Sequence, residues 1–511
     1  MWLSKRRHWI VLSLSIYILA VILSTSLMVL KRDALQFHTR DYNYFVEQAA
    51  RLTDPNLEKK FALNIEGYNL LGLQGIEGVK SIYHAIHAEY FRYIYVILYA
   101  IFQNVLPLYI FYSLFFFLPI VYLAFLPHRD RRAHLFLWIG FSLLYLLFPA
   151  TLNSVTSDLR PRMLFASAWS LAVLSVVYRR PFAEKLVSLG LLMAIREEGI
   201  LLALFVIALN FLLMRGKPNR WRQTLIFLAL VLAASGAFLA FMAWGEYQRV
   251  DNAYNPLNFL TTLLSDPRLL ASITLLLVTA LAGLYWIKKR FGFNAILLPA
   301  IYLGAVGLTG VQWLRDTQRA FISLNAAQAT FWEYFLAAIT NETTALTFYI
   351  AILGLVLFWS STRGQPRRLL TTLIAALAAV FAFTTVAYMP PQIAQWRLNL
   401  APARLVWDFV DQHDRYQTSL LLDYTTYQAF YNFDQVIVYN RLPLWDTVPE
   451  KRYYPQNKPA VALQIKKGIQ YAVIARESLP NVLELAEIAG VPASEYASND
   501  RYIILKFHSP P

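Results

Sequence analysis

The chain has 511 residues, 58% of them hydrophobic and 15% charged, with a mean hydropathy of +0.43. A soluble domain is nearer half apolar and a quarter charged, so composition excludes an ordinary soluble protein and points to a polytopic α-helical membrane protein. The net charge of +15 sits between apolar runs rather than on a solvated basic face with exposed aromatics, which removes nucleic acid as a partner. The absence of cysteine removes disulfides, iron–sulfur clusters and thiolate chemistry.

The basic N-terminus "MWLSKRRHW" leads into residues 9–30, long enough to cross a hydrocarbon core of about 30 Å. That run is too long for a secretory leader, and "STSLMVLKRD" is a poor cleavage site, so an uncleaved first helix is expected. Residues 31–105 then form a connection too long to be a mere link. Within it, "DYNYFVEQAARL" (41–52) reads as a short amphipathic helix with Asp41 near its start. Helix starts favour Asp because its carboxylate accepts from free backbone N–H groups, so capping competes with a functional role for Asp41 and its neighbour Arg40. His38 reads as a solvated loop histidine. "HAIHAEYF" (84–91) carries His87 and Glu89; His84 and His87 have metal-compatible spacing, but no third ligand falls in register. Residues 91–104, "FRYIYVILYAIFQN", are short for a span and rich in Tyr, which suits a helix lying at the interface or dipping in from outside.

Crossings are expected near 106–127, 135–150, 163–178, 184–196, 199–214, 223–244, 269–287, 294–313, 345–361 and 369–388, with 184–214 either two short helices or one broken one. The basic connections at 5–7, 128–134, 178–185, 215–222, 288–290 and 362–368 all fall on one side in this arrangement. The positive-inside rule makes that side cytoplasmic. The N-terminus is then cytoplasmic, and 31–105, 151–162, 196–198 and everything after 389 lie outside.

Two further outer segments carry charge. "NSVTSDLRPRM" (153–163) places Asp158 just before Arg160 and Arg162. It reads either as a solvated turn or as a phosphate site, because Arg grips phosphate bidentately. "AIREEGI" (194–200) puts Arg196, Glu197 and Glu198 inside nearly continuous apolar sequence. Charges at membrane depth are costly and face a cavity or a partner, unless the helices simply end there. After Pro390–Pro391 the apolar runs shorten. "PARLVWDFVDQH" has helical spacing, and "SLLLDY", "QVIVY", "YAVIA" and "YIILKF" read as strands, together a small α/β domain. The expected division is therefore a transmembrane domain over 1–390 and an extracytoplasmic α/β domain over 400–511.

A long first outer loop with an early Asp, an interfacial helix before the second span and a second acidic loop after the third resemble the GT-C superfamily of membrane glycosyltransferases. A closer likeness is to a bacterial family of multi-pass membrane proteins grouped with that fold. It rests on "HAEYFRYIYVILYAIFQNVLPLYIFY" (87–112), on "SDLRPRM" and on "REEG", and covers roughly residues 1–245. The arginines of "SDLRPRM" stand where that family tends to have His and an acid. The resemblance implies a GT-C-like fold of about 11 to 13 transmembrane helices in a bacterial plasma membrane. It also implies a polyprenyl-phosphate sugar donor, transfer with inversion to a glycan, lipid or protein acceptor, Asp41 as catalytic base and Asp158 as a second acidic residue that assists it or binds the acceptor. Arg40, His87, Glu89, Arg160, Arg162, Arg196, Glu197 and Glu198 are the substrate-binding candidates. The resemblance implies no definite cofactor, and converging carboxylates leave a divalent metal open. A lipid or anionic-solute transporter or flippase, and a non-catalytic envelope scaffold, are the competing classes.

Overall fold

The computed structural model describes residues 6–37, 46, 49–50, 53–54, 90–126, 131–156, 159–195, 198–244, 303–307, 309, 345–361, 365–423, 425–433, 435–438 and 461–508. Among these, His8–Asp33, Leu106–Phe125 and Arg368–Gln412 are long and apolar enough to cross a membrane. Shorter apolar helices pack with them, including Pro161–Val177, Glu198–Leu213 and Leu346–Phe358.

Position within the bundle follows from which faces are covered. The apolar stretch of Leu106–Phe125 is 67% buried, whereas those of His8–Asp33 and Arg368–Gln412 are 22% buried. The second span is therefore central, and the first and last are peripheral. Ile18, Leu19 and Leu23 on the first helix and Leu369, Phe383 and Val386 on the last are exposed. A bare hydrocarbon face on an otherwise close-packed bundle is matched by lipid, where backbone groups must be satisfied within the helix. The chain is an integral membrane protein. Its core is aromatic: Tyr109, Tyr112, Phe116, Tyr145, Trp169 and Tyr349 are essentially inaccessible.

The third apolar run, expected as one crossing over 135–150, is bent. His134–Leu147 and Pro149–Val155 meet at 67°. Pro149 supplies no N–H to continue the ladder, and the carbonyls left over at the bend find side chains instead. Thr385 Oγ1 donates to Leu147 O at 2.9 Å, and Thr151 Oγ1 donates to Tyr145 O. Run 184–214 resolves as two helices, Phe182–Ile195 and Glu198–Leu213. The segment read as interfacial is an 11-residue helix, Arg92–Phe102.

The span expected over 369–388 and the helical spacing of "PARLVWDFVDQH" belong to one 48-residue helix, Gln365–Gln412, which carries Pro390, Pro391 and Pro402. An interior proline costs roughly 3 kcal/mol. Met389 and Trp396, packed on Leu27 and Ala34 of the first helix region, hold that stretch in place.

The C-terminal sheet has the order β2-β1-β3-β5-β4. Strands β1 (Ser419–Leu422), β2 (Gln435–Val438) and β3 (Tyr471–Ala475) are parallel. Strands β4 (Ala493–Ser498) and β5 (Tyr502–Phe507) close it antiparallel. One face packs on Ala403, Val406 and Phe409 of the long helix, the other on Val482, Leu485 and Ala486 of the helix Leu479–Ala489. Burial on both faces explains why β1 and β3 read as unbroken apolar runs. Strand β4, "ASEYAS", escapes sequence reading because it is a polar, largely exposed edge with an irregularity between Glu495 and Ala497, as edge strands tend to be.

At the end of β1 sits the buried Asp423. Its Oδ1 accepts from the backbone N–H groups of Thr425 and Thr426 and from Thr426 Oγ1, and its Oδ2 from Ala475 N and Ser478 Oγ. Burial pushes this carboxyl above its usual range, and the donors of Thr426, Ala475 and Ser478 pull against it. The five bonds tie the loop after β1 to the loop after β3.

Candidate functional site

Four contacts bring the charged segments of the sequence to one end of the bundle. Lys31, in the last turn of the first helix, donates to Thr156 O at 3.0 Å. That fixes the exit of the first helix beside the start of the Asp158 loop. The Lys31 ammonium also lies 5.0 Å from the Phe37 ring centre and 5.6 Å from that of Trp396, an aromatic setting that favours a cation. Tyr112 of the central span donates to Ser154 O (3.2 Å) and Arg160 O (3.3 Å), so it straps both ends of the same loop. The 3-10 turn Pro161–Leu164, which holds Arg162, packs on the central span and on the helix Phe182–Ile195. Finally, Phe91 N donates to Ala194 O at 3.1 Å. This joins the segment just after His87 and Glu89 to the residue two before Arg196.

Two backbone features shape this end. Leu159, fully buried between Asp158 and Arg160, has φ 58°. That left-handed conformation is strained for a leucine and persists only where surroundings enforce it; here Tyr112 supplies part of that enforcement. Gly199 allows the reversal at 196–198. A Cβ there would lie 2.0 Å from Leu192 O and 3.1 Å from Met193 Cα, so only glycine permits the two short helices to approach so closely. The glycine of "REEG" thus has a packing reason as well as a motif.

Of the sequence candidates, Arg160, Arg162 and Glu198 are described, and all three are half-buried at this end. Asp41, Arg40, His87, Glu89, Asp158, Arg196 and Glu197 lie outside the described residues; their immediate neighbours Phe37, Phe91, Thr156, Leu159, Ile195 and Glu198 are placed. No group of three or more His, Asp or Glu able to hold a metal occurs among the described residues. Sequence reading missed Lys31 and Tyr112. Lys31 had a legible signal: "KRD" (31–33) is basic on the side the positive-inside rule leaves poor in cations. Tyr112 had none, being one aromatic in an aromatic helix. A separate cavity of about 680 Å³ at the end of the long helix is lined by Gln412, His413, Gln470, Tyr471, Lys506 and neighbours and shares no residue with these segments.

These features define an integral membrane protein that carries Lys31, Arg160, Arg162 and Glu198 at one end of an aromatic-cored bundle, beside a sheet domain. No family model matches the chain, and no curated protein does. Among solved structures it is similar to ArnT from Cupriavidus metallidurans bound to undecaprenyl phosphate. The identity is 14% over 98% of this chain and 99% of that one, with a TM-score of 0.46. A likeness that loose assigns no residue a role.

Proposed function

We propose that this protein is a membrane glycosyltransferase of GT-C type. It moves a sugar from a polyprenyl-phosphate-linked donor to an acceptor on the outer face of a bacterial plasma membrane. The observation that carries the reading is that Lys31, Arg160, Arg162 and the facing ends of the helices Phe182–Ile195 and Glu198–Leu213 lie at one end of the bundle. The resemblance of the long first loop with its early Asp, the helix before the second span and the acidic loop after the third to that superfamily supports it.

The chemistry matches such a site. A lipid phosphate is a good leaving group whose developing charge needs fixed cations; Arg160, Arg162 and Arg196 supply guanidiniums that can grip it bidentately. The lipid tail stays in the bilayer beside the peripheral helices. The acceptor hydroxyl needs a base within hydrogen-bond reach, and Asp41 takes that role with Asp158 assisting. Attack from the face opposite the departing phosphate inverts the anomeric centre.

The test is to supply purified protein in lipid nanodiscs with polyprenyl-phosphate sugars and candidate acceptors and to measure free lipid phosphate. Stoichiometric release with sugar on the acceptor is the expected result. Lipid movement between leaflets without release would make the protein a flippase, and neither activity with any donor would leave a scaffold.

A further inference from the structure

The C-terminal domain grips the stretch that leads into and out of residues 38–53. Phe37 N donates at 3.0 Å to Oε1 of Gln428, a side chain with no exposure, while Gln428 Nε2 donates to Thr425 O at 2.6 Å. Gln428 stands on the loop that Asp423 fastens to the sheet. Trp407 Nε1 donates to Asp33 O at 3.0 Å. Between these two bonds Leu35 is buried in the core of the sheet domain, beside Val406, Leu420 and Phe430, with a left-handed φ of 53°. A leucine keeps that conformation only where its surroundings over-determine it; here its side chain is a plug in another domain. On the far side, Tyr416 OH donates to Asp54 Oδ2 at 2.6 Å, with Arg415 3.5 Å from the same oxygen.

We infer that the sheet domain is a positioning device for the first loop, holding Asp33–Phe37 at one end and Asp54 at the other. This rests on the reading of Asp41 as the base. Gln428, Trp407 and Tyr416 are then positioning residues. Pinning both ends of a chain segment narrows the space its middle can sample, and a reacting group displaced by about 1 Å can lose on the order of 10²-fold in rate.

The experiment uses the full chain in nanodiscs, with Gln428→Leu, Tyr416→Phe and Asp54→Asn. Hydrogen exchange is followed in peptides covering 33–37 and 49–54, and kcat and KM are measured for a polyprenyl-phosphate sugar. Gln428→Leu should speed exchange at 33–37, and Tyr416→Phe at 49–54, each by at least ~10-fold, with exchange in β1, β3 and β5 unchanged. Both should lower kcat by ~10-fold or more while KM stays within about twofold. Asp54→Asn keeps an acceptor for Tyr416 but removes the charge that Arg415 faces, and should speed exchange at 49–54 less than Tyr416→Phe does. Exchange within about twofold of wild type in Gln428→Leu and Tyr416→Phe overturns the proposal, as does a KM that rises in step with the fall in kcat/KM. A wild-type protein that transfers no sugar sinks the base assignment alone, and the exchange result then decides the clamp by itself.

Discussion

Replacing Gly199 by alanine adds one methyl group where the fold leaves no room. The new Cβ would stand 2.0 Å from Leu192 O and 2.9 Å from Leu192 C. Both are backbone atoms of the preceding helix, so no side chain can swing away. Relief to an ordinary contact of about 3.5 Å requires the reversal at 196–198 to open by roughly 1.5 Å. Overpacking of this kind costs about 1–3 kcal/mol, and it moves the segment carrying Arg196 and Glu198 relative to the Asp158 loop. Gly190, one helix earlier, has nothing within 4 Å of its own added Cβ and serves as the control. There alanine gains helix propensity, up to about 1 kcal/mol. Thermal unfolding in nanodiscs should show Gly199→Ala below wild type and Gly190→Ala equal or above. Donor turnover should fall ~10-fold or more in Gly199→Ala only, by the displacement argument. Equal behaviour of the two variants in unfolding and turnover would refute the close approach of these helices and its role in shaping the site.

Three further outcomes are expected. Arg160→Lys, Arg162→Lys and Arg196→Lys should weaken donor binding in a nanodisc titration, and the alanine variants more so, because lysine cannot form the bidentate fork; unchanged affinity in all three alanine variants places the lipid phosphate elsewhere. Tyr502, buried in β5 near Asp423, has its hydroxyl pushed up to about 12 from 10.0, chiefly by burial. A pKa raised on folding contributes stability in full below pH 10 and loses it as pH climbs to about 12. Urea titration between pH 9 and 12 should therefore show an alkaline loss that Tyr502→Phe diminishes, by an amount on the order of 2–3 kcal/mol. Because the chain has no cysteine, an introduced Glu487→Cys should react with an impermeant reagent from outside intact cells and Lys217→Cys only after lysis; the reverse pattern inverts the topology.

The parts of this molecule that sequence made legible are those with a local period or a local break. The apolar runs that lie among the described residues became helices; the crossings expected at 269–287 and over most of 294–313 lie outside them. The Tyr-rich segment at 91–104 became a short helix, and the charges at 196–198 marked the break between Phe182–Ile195 and Glu198–Leu213. Four of the five strands stood out because β1, β2, β3 and β5 are apolar runs bounded by polar residues. What escaped depends on residues far apart in the chain. Nothing around Phe37 announces Gln428, and nothing around Asp33 announces Trp407, because a single hydrogen bond or a plugged leucine leaves no periodic trace. Asp423 was passed over for a related reason. One aspartate after an apolar strand looks like a turn residue until the five donors around it are seen.

The central claim is that Asp41 acts as the base in sugar transfer from a lipid phosphate. Asp41→Asn preserves size and helix-capping ability and removes only the basic group. Lipid-phosphate release and sugar transfer should be compared between wild type and Asp41→Asn in the same nanodiscs, with donor binding measured in parallel. The account predicts equal expression and donor affinity, with transfer reduced by at least ~10²-fold. Near wild-type turnover in Asp41→Asn would contradict it and leave Asp41 as a helix cap.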